Sequence, residues 1–208
     1  MEIKYLGHCC FRFKGKQSVV LTDPLDETLN FKAPNGTTCD LVISSMPVDE
    51  KKIKESLKPV KREEPFVVDR PGEYEVSGLF VLGIGFKTKA TVYVVIIDDL
   101  RVAFLGGLSD KLSDRQLEEL DGVDVLILPV GGKPYIDNKQ AIYLIDKIQP
   151  SFVLPMAYKM PGVKAELEPL DNFLRETGAQ DIQAVDKLLV SKESLPLERE
   201  IVVLNAKA

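Results

Sequence analysis

The side chains able to do chemistry in this sequence are few and unusually placed. One imidazole, His8, is followed directly by Cys9 and Cys10, and the third cysteine, Cys39, stands apart. A thiol becomes a nucleophile when a base sits beside it. In an extended chain His8 and Cys9 would face opposite sides, and His8 and Cys10 would share a face roughly 7 Å apart. That is too long for direct proton transfer, so the expectation is a structural histidine bonded to backbone, with a Cys–His pair as the minor reading. Three carboxylates, Asp23, Asp49 and Glu50, could gather round Mg²⁺, Mn²⁺ or Ca²⁺, since hard cations accept carboxylates. The plainer reading makes Asp23 a turn residue, Asp49 a helix N-cap and Glu50 a first-turn acid favoured by the helix dipole. Two glycine pairs, Gly106-Gly107 and Gly131-Gly132, close apolar runs. With Lys133 and Tyr135 beside it, the second pair could bring backbone N–H groups to a phosphate or carboxylate ligand. Tight strand-to-loop turns are the competing explanation.

The bulk composition narrows what this chemistry can serve. The 208 residues carry a net charge of −5, with 45% hydrophobic and 28% charged residues, as in an ordinary globular protein able to bury a substantial core. No clustered basic surface is evident, so nucleic acid and anionic membrane are not expected partners. The one dense charge run, Lys61-Arg62-Glu63-Glu64, is mixed in sign and reads as a solvated loop or helix end. Three cysteines without C-x-x-C spacing indicate neither a disulfide framework nor a zinc ribbon. They suit a reducing compartment, and with no signal-like or membrane-length apolar segment the expected location is cytoplasmic.

The elements that must position these residues change character along the chain. Phe11 and Phe13 alternate with Arg12 and Lys14, Gly15-Lys16 turns, and Ser18–Leu21 continues as a strand ending at Asp23-Pro24. Leu41–Ile43 is a short apolar strand, and a helix follows with Asp49 as N-cap and Val48 and Ile53 as a hydrophobic staple. Strands are expected at Phe66–Val68, Leu79–Ile84, Thr91–Ile97 and Arg101–Leu105, with a tight hairpin at Asp98-Asp99. Later, strands alternate with helices: a capping box at Ser113 and Gln116, a strand at Val123–Leu128, and an amphipathic helix carrying Ala141, Ile142, Leu144, Ile145 and Ile148. Phe152–Leu154, a helix with Pro169 in its first turn, and strands at Leu188–Val190 and Ile201–Leu204 complete the pattern. Two meanders, each followed by strand–loop–helix units, suit two sheets packed face to face with helices outside, in one domain spanning 1–208.

Six segments in order resemble the metallo-β-lactamase-fold hydrolases, specifically the branch related to the ascorbate phosphate lactonases. Leu6-Gly7-His8-Cys9-Cys10-Phe11 is similar to that branch's Leu-Gly-His-x-x-Phe opening, and Thr22-Asp23-Pro24 to its next strand end. Pro71-Gly72-Glu73-Tyr74, Leu105-Gly106-Gly107-Leu108, Asp124–Gly132 and Leu154-Pro155-Met156-Ala157-Tyr158-Lys159 follow in matching order. The resemblance implies an α/β fold, a four-layer αββα sandwich. It also implies a site in which histidines and a bridging aspartate hold one or two Zn²⁺ ions that activate water.

At the positions the resemblance assigns to those ligands, the sequence departs from the pattern. The His-x-His-x-Asp-His stretch is Ser45-Met46-Pro47-Val48-Asp49-Glu50, in which only Asp49 matches. The bridging aspartate position is Gly107, the late histidine position Ala157, and a middle histidine position falls near Lys87. The expectation is therefore a vestigial pocket made of His8, Asp23, Ser45, Pro47, Asp49, Glu50, Gly107 and Ala157, with no catalytic residues, no metal ligands and no cofactor. The role expected is that of a pseudo-hydrolase: a binding, regulatory or assembly protein, its small-molecule ligand left open, or a subunit pairing with itself or a relative. The rival is a phosphoester or lactone hydrolase rebuilt on Asp23, Asp49 and Glu50.

Overall fold

The alternation read from the first strands is physical: Phe11 and Phe13 are buried to one side while Arg12 between them stays partly exposed. The computed structural model describes residues 1–61 and 63–207. A six-stranded sheet runs in the order Leu188–Leu189, Glu2–Gly7, Cys10–Lys14, Val19–Thr22, Leu41–Ile43, Phe66–Val68. A seven-stranded sheet runs Gly72–Val76, Leu79–Gly85, Thr91–Ile97, Leu100–Phe104, Val125–Pro129, Phe152–Met156, Glu200–Ile201. Each begins as an antiparallel meander and becomes parallel where the connections lengthen.

Period-two side-chain placement sorts the apolar residues into layers. Tyr93 and Val95 join Ile3, Phe11, Phe13 and Val20 between the two sheets, in a core that reaches from Ile3 to Leu204. Val92 and Val94, on the other side of the same strand, pack with α3 (Asn138–Ile148) through Ala141, Leu144 and Ile145, and with α4 (Leu170–Glu176) through Phe173. On the far side of the six-stranded sheet, Leu21 and Val42 cover Ile53 of α1 (Glu50–Ser56). The short α2 (Asp114–Glu118) joins the α3 side through Leu117. This is the expected four-layer αββα sandwich. Among the described residues no helix is long and apolar enough to cross a membrane.

Local signals placed most ends correctly. Asp49 caps α1, accepting from the N–H groups of Lys51 and Lys52 at 3.1 and 3.4 Å, and Val48 packs beside Ile53 as the staple requires. The Ser113–Gln116 capping box forms, and Asp98 and Asp99 both take positive φ in a hairpin that pairs Ile97 with Leu100. Pro169 stands at the N-cap of α4, one residue before its first turn, where its missing N–H costs nothing. Lys61, Glu63 and Glu64 of the charge run are exposed; Arg62 lies outside the described residues.

The extended backbone expected at His8 does not form: Gly7 and His8 take φ of +120° and +50°, and the turn they make joins the first two strands. The strand geometry that set His8 and Cys10 on one face therefore does not apply, and Cys10 faces the α1 layer while Cys9 faces the inter-sheet core.

Candidate functional site

The parallel strands of both sheets end on the same side of the sandwich, where α/β folds gather their ligand sites. Beyond Thr22 comes Asp23, beyond Ile43 come Ser44 and Ser45, and beyond Phe104 come Gly106 and Gly107. Together they line a cavity of about 540 Å³. The loop carrying Leu25–Leu29, the start of α1, Thr88 and Ala90 of a hairpin loop, and Pro134 and Tyr135 close its walls.

Asp23 and Ser45 form its most tightly bonded pair. The Ser45 backbone N–H donates to Asp23 Oδ1 at 2.6 Å, and the Ser45 hydroxyl donates to Oδ2 at 2.6 Å. Burial raises the Asp23 pKa to about 6, against the opposing pull of these bonds. Gly106 allows the approach, since a Cβ there would lie 2.6 Å from Asp23 Oδ2. Ser45 is itself tied across to the second sheet, its carbonyl accepting from the Thr91 N–H at 2.8 Å, and the neighbouring Ser44 carbonyl accepts from Tyr93 Oη at 2.9 Å.

His8 and Tyr135 form the second pair. His8 Nε2 lies 2.9 Å from Tyr135 Oη, and the His8 carbonyl accepts from Tyr5 Oη at 2.8 Å and from the Ala157 N–H at 3.0 Å. The imidazole bonds a tyrosine side chain and not the backbone that was expected, and the ring lines the cavity. His8 is only 2% exposed, and its Nδ1 has no hydrogen-bond partner among the described residues. Burial lowers its pKa, with Asp26 pulling the other way. Cys9 lines the same wall, and burial, then the field of Asp23, raises its thiol pKa well above the ordinary value. That is the opposite of an activated nucleophile.

Six of the eight residues expected in the pocket do line it: His8, Asp23, Ser45, Pro47, Asp49 and Gly107. Glu50 and Ala157 do not. Glu50 lies on α1 and pairs with Lys54 at 2.8 Å, an i,i+4 contact that turns it along the helix. Ala157 is fully buried with the inter-sheet core, because its backbone, at φ +51°, packs against the opening strand and the Gly131 loop. The three carboxylates of the rebuilt-hydrolase reading are not assembled, and among the described residues no group of three or more His, Cys, Asp or Glu could hold a metal ion. Gly131 and Gly132 do not reach the cavity either. A Cβ on Gly131 would sit 2.0 Å from the Ala157 carbonyl oxygen, so this glycine serves close backbone packing. Lys133 is exposed, and it is Pro134 and Tyr135 that the loop turns inward. Near the middle histidine position, Thr88 and Ala90 line the cavity, not Lys87.

The sequence reading missed Asp26, Glu27 and Lys52. Asp26 belongs to a small hairpin, Leu25–Asp26 with Phe31–Lys32, whose only local signal is Asp26 accepting from Thr28 and Leu29 in a turn. Lys52 reaches from α1 to Glu27 of that hairpin at 2.9 Å, a pairing across 25 positions that no spacing rule exposes.

Comparison with known proteins agrees with the architecture. Residues 2–157 match the family model described as "Beta-lactamase superfamily domain". A UPF0173 protein of Pyrococcus abyssi is 27% identical over 199 residues, covering 81% of this chain and 91% of that protein. A UPF0173 metal-dependent hydrolase of Carboxydothermus hydrogenoformans is 31% identical over 65 residues, covering 31% of this chain and 29% of that protein. Among solved structures, one from Thermotoga maritima superposes with a TM-score of 0.82 at 31% identity over 98% of both chains. It is described as a candidate Zn-dependent hydrolase of the metallo-β-lactamase superfamily.

Proposed function

We propose that this chain, which belongs to the beta-lactamase superfamily, keeps the superfamily's cavity as a small-molecule binding site and has given up its metal chemistry. The observation that carries this reading is the Asp23–Ser45 pair. At the position where the resemblance expects the first histidine, a serine commits its N–H and its hydroxyl to the two oxygens of one carboxylate.

The donors around that pair do not fit a zinc ion. Pro47 has no donor side chain, Gly107 has no side chain at all, and Ala157 is buried away from the cavity. A carboxylate added at position 107 would have to start 3.2 Å from Ser45 Oγ and 3.3 Å from Met46 Sδ, which crowd the space. Asp49 lines the cavity but spends its Oδ1 on the α1 N-terminus. No reaction step is therefore routed through a metal. What the residues do supply is a walled cavity with two half-buried acids, Asp23 and Asp26, one buried imidazole with a nitrogen unpartnered among the described residues, and apolar sides from Leu25, Leu29 and Val48.

The test is metal content together with turnover. Purified protein is expected to carry well under one equivalent of Zn²⁺ or Mn²⁺ and to show no chelator-sensitive hydrolysis of phosphodiesters or lactones. Stoichiometric metal with turnover abolished by a chelator would overturn the reading in favour of a hydrolase like those named among its relatives.

A further inference from the structure

Among the described residues, five charged side chains line the cavity: Asp23, Asp26, Glu27 and Asp49 against Lys52. Lys52 is already paired with Glu27 at 2.9 Å. Among the described residues no cation forms an ion pair with Asp23, Asp26 or Asp49. The three hydrogen bonds to Asp26 all fall on Oδ1, from the Thr28 N–H, the Thr28 hydroxyl and the Leu29 N–H. Its Oδ2 is left for something else. Uncompensated carboxylates at a low-dielectric wall raise the local concentration of cations and favour a positively charged occupant.

The buried imidazole makes an independent demand. Tyr135 Oη lies 2.9 Å from His8 Nε2, and either atom can donate to the other. A proton on Nε2 donates to the Tyr135 oxygen and leaves a lone pair on Nδ1; a proton on Nδ1 lets the Tyr135 hydroxyl donate to Nε2 instead. In the first tautomer Nδ1 carries a lone pair, and among the described residues it is the ring nitrogen without a partner. An occupant that answers the acidic lining and pairs this first tautomer carries positive charge and an N–H to donate.

We infer that the cavity binds a primary or secondary organic ammonium ion. Its N–H groups would be shared between the carboxylates of Asp23 and Asp26 and His8 Nδ1, and its hydrocarbon part would lie against Leu25, Leu29 and Val48. This rests on the reading of the cavity as a metal-free binding site and names its ligand class. A volume of about 540 Å³ is in the range that holds a small organic molecule.

The chain's one histidine makes the test direct, because every imidazole resonance in its NMR spectrum belongs to His8. Metal-free protein is titrated with hexylammonium, with hexanoate and with tetramethylammonium, the last being a cation without an N–H. Saturable shifts of the His8 imidazole nitrogens with hexylammonium, weaker ones with tetramethylammonium and none with hexanoate are expected. Asp23→Asn and Asp26→Asn remove the charge with little change of side-chain shape, and each should weaken hexylammonium binding by about tenfold while the chain stays folded. Equal or tighter binding of hexanoate, or tetramethylammonium binding as well as hexylammonium, overturns the ammonium assignment while leaving a metal-free binding site standing. Failure of any hexylammonium shift, with both variants folded, overturns it too. Stoichiometric bound metal would instead remove the reading on which it rests.

Discussion

Ser45 holds both oxygens of the Asp23 carboxyl, N–H to Oδ1 and hydroxyl to Oδ2, each at 2.6 Å. These bonds favour the charged form, yet the pKa stands raised to about 6, so desolvation outweighs them. The sign of the linkage follows. A carboxyl whose folded pKa lies above its unfolded value of about 4 leaves the fold most stable below pH 4. Stability then declines as pH rises through 6, by on the order of 2 kcal/mol from this residue. Asp23→Asn, which can still accept from the Ser45 N–H, should flatten that part of the profile. Urea melts between pH 4 and pH 7.5 on both proteins check it; parallel profiles would show that Asp23 does not titrate in this window.

Asp49 is where a cap and a metal ligand make different predictions. Its Oδ1 accepts from two N–H groups at the start of α1. Asp49→Ala should cost about 1 kcal/mol of stability, and Asp49→Ser should recover most of it. A ligand role would instead show as lost metal affinity that serine fails to restore. Denaturant midpoints of the two variants, with and without added Zn²⁺, separate these outcomes.

These examples show why some of the molecule was legible in the sequence and some was not. The caps at Asp49 and Ser113, the Asp98-Asp99 hairpin and the stripe on α3 depend on residues within a turn or two of one another. Reading spacing was enough for them, and the order of strands and helices then implied the layers. The cavity is different in kind. Asp23 meets Ser45 across two parallel strands, and His8 meets Tyr135 across 127 positions. Position along a motif could say which residues gather at the strand ends. It could not say that Glu50 turns along its helix toward Lys54, or that Ala157 is drawn into the core by backbone bonds. The positive φ at His8 was hidden for a related reason: its left-handed backbone is fixed by tertiary partners, the Tyr5 hydroxyl and the Ala157 N–H, and not by its own residue type.

Gly131 should prove intolerant for a steric reason alone. A Cβ there would meet the Ala157 carbonyl oxygen at 2.0 Å, and the Ala157-Tyr158 backbone cannot swing away as a side chain would. Gly131→Ala is expected to cost at least about 3 kcal/mol or to abolish folding. Gly36 supplies the contrast, with nothing within 4 Å of its Cβ position but φ at +80°. Gly36→Ala should lose only about 1 kcal/mol, from the left-handed backbone. Thermal unfolding of the two variants would refute this if their costs were similar.

Lys52 tests the charge argument from the opposite side. Its pair with Glu27 is well exposed, 51% and 65%, so the contact itself should contribute little to stability. Lys52→Met removes the one cation that lines the cavity among the described residues while keeping the length of the side chain. An unchanged thermal midpoint and tighter hexylammonium binding are expected, with the gain shrinking as salt is added. Weaker binding in this variant would mean that the lysine holds the cavity wall in place through Glu27.

The three thiols close off the Cys–His reading. Cys9, Cys10 and Cys39 are 3%, 0% and 0% exposed. Burial raises all three pKa values, with Asp23 adding to the effect at Cys9 and Cys10 and Asp40 at Cys39. A thiolate is the reactive species, so both access and ionisation oppose reaction. At pH 8 the folded protein should leave all three unmodified by an aromatic disulfide reagent, and full reaction should appear only as the chain unfolds in denaturant. A thiol that reacts quickly in native protein, and is protected when Tyr135→Phe breaks the contact to His8, would show instead that Cys9 is activated through that pair.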